Sequence, residues 1–329
     1  MSTDSSAPLI LLVADPHRHR DGPVQRAAAM LRTGGYATEA VWSGPSEDGQ
    51  SEDPSSGSGV AWGQPLHRCL ERCREDGSAP AAVLAVGGDG MSHTVLNVLQ
   101  EHQERGGPPI PFGLIPTGTG NDLARHMRLP HGDPEMAAGR VLRRLDEGPA
   151  DMDLGLIELA DGTRRWFATA ACCGIDAVVN ELANTWSWPR GSAKYAAAVP
   201  VEAMRYRQSH MALAIRRPDG TELLSSRRTL MLSVANTSSI GGGLSIVPHA
   251  DPRDGRLEVF QVRALSRARI LLLFPRLILG THLGLDEVAI EPAVRVEVDA
   301  PNLICADGES VGRGPAIIPV IPAALPVLF

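Results

Sequence analysis

The stretch AVLAVGGDGMSHTVLNVL, Ala82 to Leu99, constrains the fold more than any other part of the chain. A short apolar run of strand type ends in Gly87, Gly88 and Gly90 around Asp89, and apolar residues at helical spacing follow. The design recurs in PFGLIPTGTGNDLARHM, with a run at Phe112–Ile115, a turn over Thr117–Gly120 and a helical pattern bearing Leu123 and Met127. Glycine lacks the Cβ that keeps a phosphate away from backbone N–H groups. A helix N-terminus turns positive partial charge toward the same anion. Two such units place two anion-friendly loops on one edge of one sheet, where α/β folds bind ligands. Asp89 in such a loop calls for a cation or a proton donor beside it; either cluster alone also reads as a tight turn.

The rest of the N-terminal half keeps this rhythm. Leu9–Ala14, Ala37–Trp42 and Ala81–Val86 read as buried strands, and Val24–Leu31, Leu66–Cys73 and Val95–Leu99 as helical stripes. Alternation of this kind predicts a parallel sheet covered on both faces. The polar segment from Ser43 to Gly59 reads as a mobile surface insertion. Past Ala150 the texture changes to β-type runs at Trp166–Ala170, Met211–Ile215, Thr229–Ala235, Leu257–Val262 and Val294–Val298. Asp-Gly turns at Asp161, Asp219 and Asp254 divide them, which predicts a largely antiparallel second domain. The tail AIIPVIPAALPVLF reads as edge strands, where a missing N–H costs least. The expected domains are 1–150 and 151–314, with 315–329 a candidate for returning to the first.

Lys and Arg number 31 against 38 Asp and Glu, a net charge of -7, which argues against a nucleic-acid partner. Five cysteines without ligand spacing read as reduced cytoplasmic thiols, neither a disulfide framework nor a zinc site. The longest apolar stretch is cut by Pro275 and Arg276, so neither a signal peptide nor a membrane span is expected.

GGDG followed by PTGTGNDLAR resembles the catalytic domain of the diacylglycerol and sphingosine lipid kinases. The first domain of that family is similar to those of NAD kinase and phosphofructokinase. WFATAACCGIDAVV resembles the family segment ending in Gly-Phe-Asp-Ala, with Gly174 and Asp176 matched. VANTSSIGGGLSIVPHADPRDGRLEV carries its Asn, Gly-Gly-Gly, Pro-x-Ala and Asp-Gly-x-Leu pattern, and ADGE its late Asp-Gly-Glu. The blocks run in family order from Leu9 to Phe329. They imply an α/β plus β fold: an NAD kinase/phosphofructokinase-like α/β nucleotide domain with a β-sandwich second domain. Met91 departs from the usual Thr, His93 and Thr94 from the common Asn-Glu pair, and Asp15-Pro16 from Asn-Pro. Met91 shares a stripe with Val95 and Leu99 and reads as core. His93 falls off that stripe beside Asn97, and reads either as facing the nucleotide or as an ordinary cap.

The resemblance implies ATP- and Mg2+-dependent transfer of a phosphoryl group to a lipid hydroxyl. Diacylglycerol going to phosphatidic acid is the leading reaction, and a sphingoid base or another lipid alcohol the second. It implies ATP bound between the domains, with Asp15, Gly87, Gly88, Gly90, His93, Thr117, Gly118, Thr119 and Asn121 on the nucleotide side. Asp89 is expected near magnesium and the transferring phosphate, Asp307 as general base, and Glu309 as its magnesium or base partner. Asp254, with Asp251 beside it, matches a position for a structural magnesium ion, and hard oxygen ligands suit that ion. The implied partners are a lipid alcohol and a peripheral membrane surface, at a cytoplasmic location; a homodimer is left open. The segment SRARILLLFPRLILGTH, Ser266 to His282, reads as an N-capped helix suited either to a bilayer interface or to packing on the second domain. Two rivals remain: NAD phosphorylation, which shares GGDG but not the second loop, and a non-catalytic relative, suggested by Met91, Thr94 and Asp15.

Overall fold

Three uninterrupted apolar runs, Leu9–Ala14, Ala82–Gly87 and Phe112–Pro116, build the buried part of the first sheet, and the mixed run Ala37–Trp42 lies at its edge. In the computed structural model, which describes residues 7–19, 22–44, 59–186, 188 and 192–329, these strands are β1 (Leu9–Ala14), β2 (Ala37–Trp42), β3 (Ala82–Gly87) and β4 (Phe112–Pro116). They lie in the order β2-β1-β3-β4, all parallel. The helices of this half are α1 (Pro16–His19), α2 (Pro23–Thr33), α3 (Gly59–Glu75), α4 (Asp89–Glu104) and α6 (Pro134–Glu147). The short α5 (Asp122–His126) precedes α6 in the chain. Ile10, Leu12, Leu84 and Val86 pack with Val24 and Leu31 of α2 and Val141 of α6. Leu11, Val13, Val83 and Ala85, of opposite parity, are equally buried, and α4 packs on β1 and β3. Burial on both faces is why β1, β3 and β4 read as continuous apolar runs. Asp133 caps α6 by accepting the Met136 N–H at 2.9 Å. The insertion expected at 43–59 falls almost wholly on 45–58, outside the described residues.

The chain divides into two compact units. One comprises Met1–Gly118, Met127–Asp151 and Leu325–Phe329; the other comprises Thr119–His126 and Met152–Ala324. The second unit is antiparallel. Its strands are β5 (Ala150–Leu159), β6 (Arg164–Phe167), β7 (Ala170–Gly174), β8 (Ser209–Arg216), β9 (Glu222–Ala235) and the short pair β10 (Ser239–Ile240) and β11 (Leu244–Ser245). They continue as β12 (Leu257–Arg263), β13 (Val288–Ala293), β14 (Arg295–Asp299), β15 (Leu303–Ala306), β16 (Glu309–Arg313) and β17 (Ala316–Val327). The main path is β16-β15-β7-β9-β8-β14-β17, with β12 pairing β9 and β13, and β5 pairing β6 and β17. Phe167, Leu213, Ile215, Leu232, Val296 and Ile318 share one core. A second core joins Leu230, Met231 and Phe260 to Ile175, Ala198 and Ile270 of α7 (Ile175–Asn184), α8 (Ser192–Arg205) and α9 (Arg267–Ile278).

Two local expectations are corrected. The run Trp166–Ala170 is not one strand, because β6 stops at Phe167 and β7 starts at Ala170. The N–H groups of Ala168 and Thr169 donate to the Asp307 carboxylate instead of a ladder. The proline-rich tail is not at an edge either: β17 has β14 on one side and β5 on another, and Val327 pairs Phe112 of β4. Pro319 is tolerated because the strand's N–H groups alternate in direction. The bond to the β14 side comes from Val320, whose N–H reaches Val294 O at 3.0 Å, so the proline removes no bond there.

Candidate active site

In the first unit the two glycine loops leave adjacent parallel strands, and the carbonyl of Gly87 ties them together. It accepts the N–H of Thr117 at 2.9 Å and of Gly118 at 3.2 Å. Those two amides therefore hold the loops side by side. Gly88 is the extended N-cap of α4, and Asp89 opens its first turn, half-buried. The first intrahelical bond runs from Ser92 N–H to Gly88 O at 3.1 Å, so earlier N–H groups point out of the helix end. Negative charge at this end of a helix is favourable, whether from Asp89 or from a phosphate. Gly87 is demanded by packing: a Cβ there would lie 2.6 Å from Met91 Cβ. Met91 is buried as the stripe suggested. Gly87→Ala is expected to destabilise the protein by ~1–3 kcal/mol, the scale of an overpacked site. A denaturant midpoint equal to wild type would contradict this packing.

His93 is 3% exposed and lies beyond the first turn of α4. Asn97 Nδ2 donates to its carbonyl at 2.9 Å and lies 3.4 Å from its Nε2. Asp15 follows β1, and its carboxylate accepts the His17 N–H at 2.8 Å.

In the second unit, α5 is fastened to the triglycine turn between β10 and β11. The buried Asp122 accepts the Gly242 N–H at 2.8 Å and the Ser239 hydroxyl at 3.4 Å. Burial pushes the Asp122 carboxyl up, opposed by the Gly242 N–H and the Arg125 guanidinium. Arg125 donates to Gly120 O at 3.0 Å and Gly242 O at 3.4 Å, and His126 Nδ1 lies 2.9 Å from Ser238 Oγ. Gly241, Gly242 and Gly243 all have left-handed φ, which is why three glycines stand there. Asn121, buried, also has left-handed φ, at 52°, and Asn is among the few other residues that adopt it readily. Thr119 is exposed beside it. Asp122, Arg125 and His126 escaped the sequence reading as site residues, although the adjacent NDLAR and GGG blocks carried the signal.

Asp307 and Gly308 form the two-residue turn between β15 and β16, with φ of 49° and 89°, the signature of a type I′ hairpin. The Asp307 carboxylate is fully engaged. Oδ1 accepts from Thr169 N at 2.7 Å, Thr169 Oγ1 at 2.5 Å and Ala170 N at 3.3 Å, and Oδ2 from Ala168 N at 3.0 Å. Asn180 of α7 donates to Gly308 O. Glu309 opens β16, half-buried, opposite Ala306.

Asp176, matched in sequence only as part of a motif, is the most perturbed acid of this region. Its Oδ2 accepts the Ser233 hydroxyl at 2.8 Å, and its buried Oδ1 has no hydrogen-bond partner among the described residues. Burial pushes the carboxyl up to about 7, against hydrogen bonds from Ser233 and Cys172 that hold it down. An unfolded Asp ionises near its ordinary value of about 3.9. Between these two values unfolding releases a proton, so this group's contribution to stability falls as pH rises from about 4 to about 7 and is level above. Asp176→Asn is expected to remove that slope, up to ~1.4 kcal/mol per pH unit. Parallel stability profiles for wild type and variant over this range would contradict the buried neutral acid.

The expected structural magnesium position lies between β11 and β12. Asp254 pairs with Arg256 at 2.8 Å, and Asp251 accepts the Arg253 N–H at 3.1 Å within its own turn. Burial pushes the Asp254 carboxyl up, opposed first by the Arg256 guanidinium. Nearby Asp153, buried, is engaged by the N–H groups of Gly255 at 2.7 Å and Ala323 at 2.8 Å. Among the described residues no three His, Cys, Asp or Glu are grouped to hold a metal.

Residues 25–156 match the model of the diacylglycerol kinase catalytic domain, and residues 169–329 match that of the YegS C-terminal NAD kinase beta sandwich-like domain. The chain is 41% identical over 248 residues to a diacylglycerol kinase of Mycobacterium tuberculosis (strain ATCC 25618 / H37Rv), covering 75% of this chain and 76% of that one. It is 26% identical to a probable lipid kinase YegS-like of Stenotrophomonas maltophilia (strain K279a), over 70% of this chain and 72% of the relative. The crystal structure of a diacylglycerol kinase from Bacillus anthracis str. Sterne has the same fold, with a TM-score of 0.63, 14% identity and coverage of 98% and 97%. This chain belongs to the diacylglycerol kinase catalytic-domain family of lipid kinases.

Proposed function

We propose that this lipid kinase transfers the γ-phosphoryl group of ATP to the free hydroxyl of diacylglycerol, giving phosphatidic acid and ADP. The observation that carries the choice of lipid is the 41% identity, over three quarters of the chain, to the mycobacterial diacylglycerol kinase. The hydroxyl oxygen attacks the γ-phosphorus as the bond from that phosphorus to the β–γ bridging oxygen breaks. Such transfer asks the protein for positioning and charge stabilisation more than for covalent chemistry.

The first turn of α4, with Gly88, Asp89 and Gly90, offers N–H groups and one carboxylate to the phosphates. Thr117 and Gly118 act one step back, holding the second loop against Gly87. Magnesium brought with ATP as co-substrate would neutralise phosphate charge, and a carboxylate would help hold it. Asp89 is the residue for that task. Glu309 takes the hydroxyl proton in this scheme. Asp307, whose oxygens accept four hydrogen bonds from 168–170, is a positioning residue that shapes the turn on which Glu309 stands. Diacylglycerol, sphingosine and NAD offered separately with labelled ATP test the reading. Label in phosphatidic acid supports it, and label in either of the other products overturns it.

A further inference from the structure

We propose that α9 is the surface by which this chain seats on an anionic lipid bilayer, a proposal that rests on the reading of the substrate as a membrane lipid. Ser266 caps the helix by accepting the Arg269 N–H at 3.2 Å. One side packs inward through Ile270, with Leu277 against the same core. The other side is apolar and open to water: Leu271, Leu272, Ile278 and Leu279 are 43%, 67%, 52% and 74% exposed, and Leu283 just beyond is 40% exposed. At about 100° per residue these α9 positions and Pro275 fall in one stripe, roughly opposite Ile270 and Leu277. Arg267 borders that stripe on one side, and Arg276 and Arg269 border it on the other.

An exposed apolar patch of this kind marks a contact surface. The arginine borders choose its occupant. Ser266 to His282 contains no acidic residue. Arg269 is held by Glu287 at 2.7 Å, while Arg267 and Arg276 make no ion pair among the described residues. A second copy docking here would bring arginine borders together with no acid on the helix to pair them. An anionic bilayer offers both parts, an apolar interior for the leucines and negative headgroups for the arginines. No helix among the described residues is long and apolar enough to cross a membrane, so the contact is a lying-on one.

The test uses sedimentation with phosphatidylcholine vesicles containing about one third phosphatidylglycerol, a typical anionic surface. The full chain is compared with the double variant Leu272→Ser/Leu279→Ser and with Arg267→Glu/Arg276→Glu. Both variants are expected to bind these vesicles at least tenfold more weakly, because the first loses apolar burial and the second meets like charge. Both should keep the wild-type unfolding midpoint and the wild-type turnover on a water-soluble short-chain diacylglycerol. Vesicle binding at the wild-type level in both variants overturns the proposal. So does a wild-type dimer that the leucine variant converts to monomer, since a second copy would then cover the face. Vesicle binding that depends on α9 without phosphorylation of the short-chain lipid would uphold this surface and remove the substrate reading alone.

Discussion

Asp89→Asn lowers single-turnover phosphorylation by about 10²-fold or more while the protein stays folded. Asn keeps the size of the side chain and the turn that opens α4, and it removes only the charge. In the proposed reaction that charge serves the magnesium-bound phosphates, where one preorganised electrostatic contact is worth a factor of this order. Its value to the fold is much smaller, since an acid in the first turn of a helix stabilises it by ~0.3–1 kcal/mol. Rate and stability therefore separate in this variant. Single-turnover rate, ATP-magnesium affinity and denaturant midpoint together read the two effects. A wild-type rate would reduce GGDG to a turn between a strand and a helix.

Asp307→Ala is expected to lose both activity and stability, and Glu309→Gln activity alone. Removing the Asp307 carboxylate strips acceptors from three backbone N–H groups and one hydroxyl at 168–170. Partly buried donors left without acceptors cost ~1–3 kcal/mol each in the worst case, so a loss of about 3 kcal/mol is expected, with turnover down at least 10²-fold. Glu309→Gln keeps shape and turn but cannot take a proton, and should lower turnover comparably at an unchanged midpoint. The pair of variants decides which acid is the base. Intact stability with lost turnover in Asp307→Ala, beside wild-type turnover in Glu309→Gln, would return the role to Asp307.

Local chemistry explains what was legible in the sequence. Leu9–Ala14 coincides with β1, because a strand in a parallel sheet covered by helices shows itself as a bounded apolar run; Ala37–Trp42 coincides with the edge strand β2. The glycine loops were legible for a similar reason, since a strand exit meeting a helix start needs its glycines nearby in sequence. What depended on distant partners stayed hidden. The break after Phe167 follows from Asp307, roughly 140 residues later. The work of Asp122 is defined by Gly242, and that of Asp153 by Gly255 and Ala323. Pro319 suggested an edge because its missing N–H is visible in sequence, whereas the direction in which that N–H would have pointed is not. For α9 the helical period was plain, but two readings survived because periodicity cannot say what each face meets. The structure buries Ile270 and leaves Leu272 and Leu279 exposed.

The most direct measurement incubates the purified chain with γ-labelled ATP, magnesium and a total lipid extract, and identifies the labelled product. The account predicts label in phosphatidic acid with wild type, and a signal at least 10²-fold weaker with Asp89→Asn. Label in another phosphorylated lipid, or no labelled lipid from a protein that binds ATP-magnesium and remains folded, would contradict it.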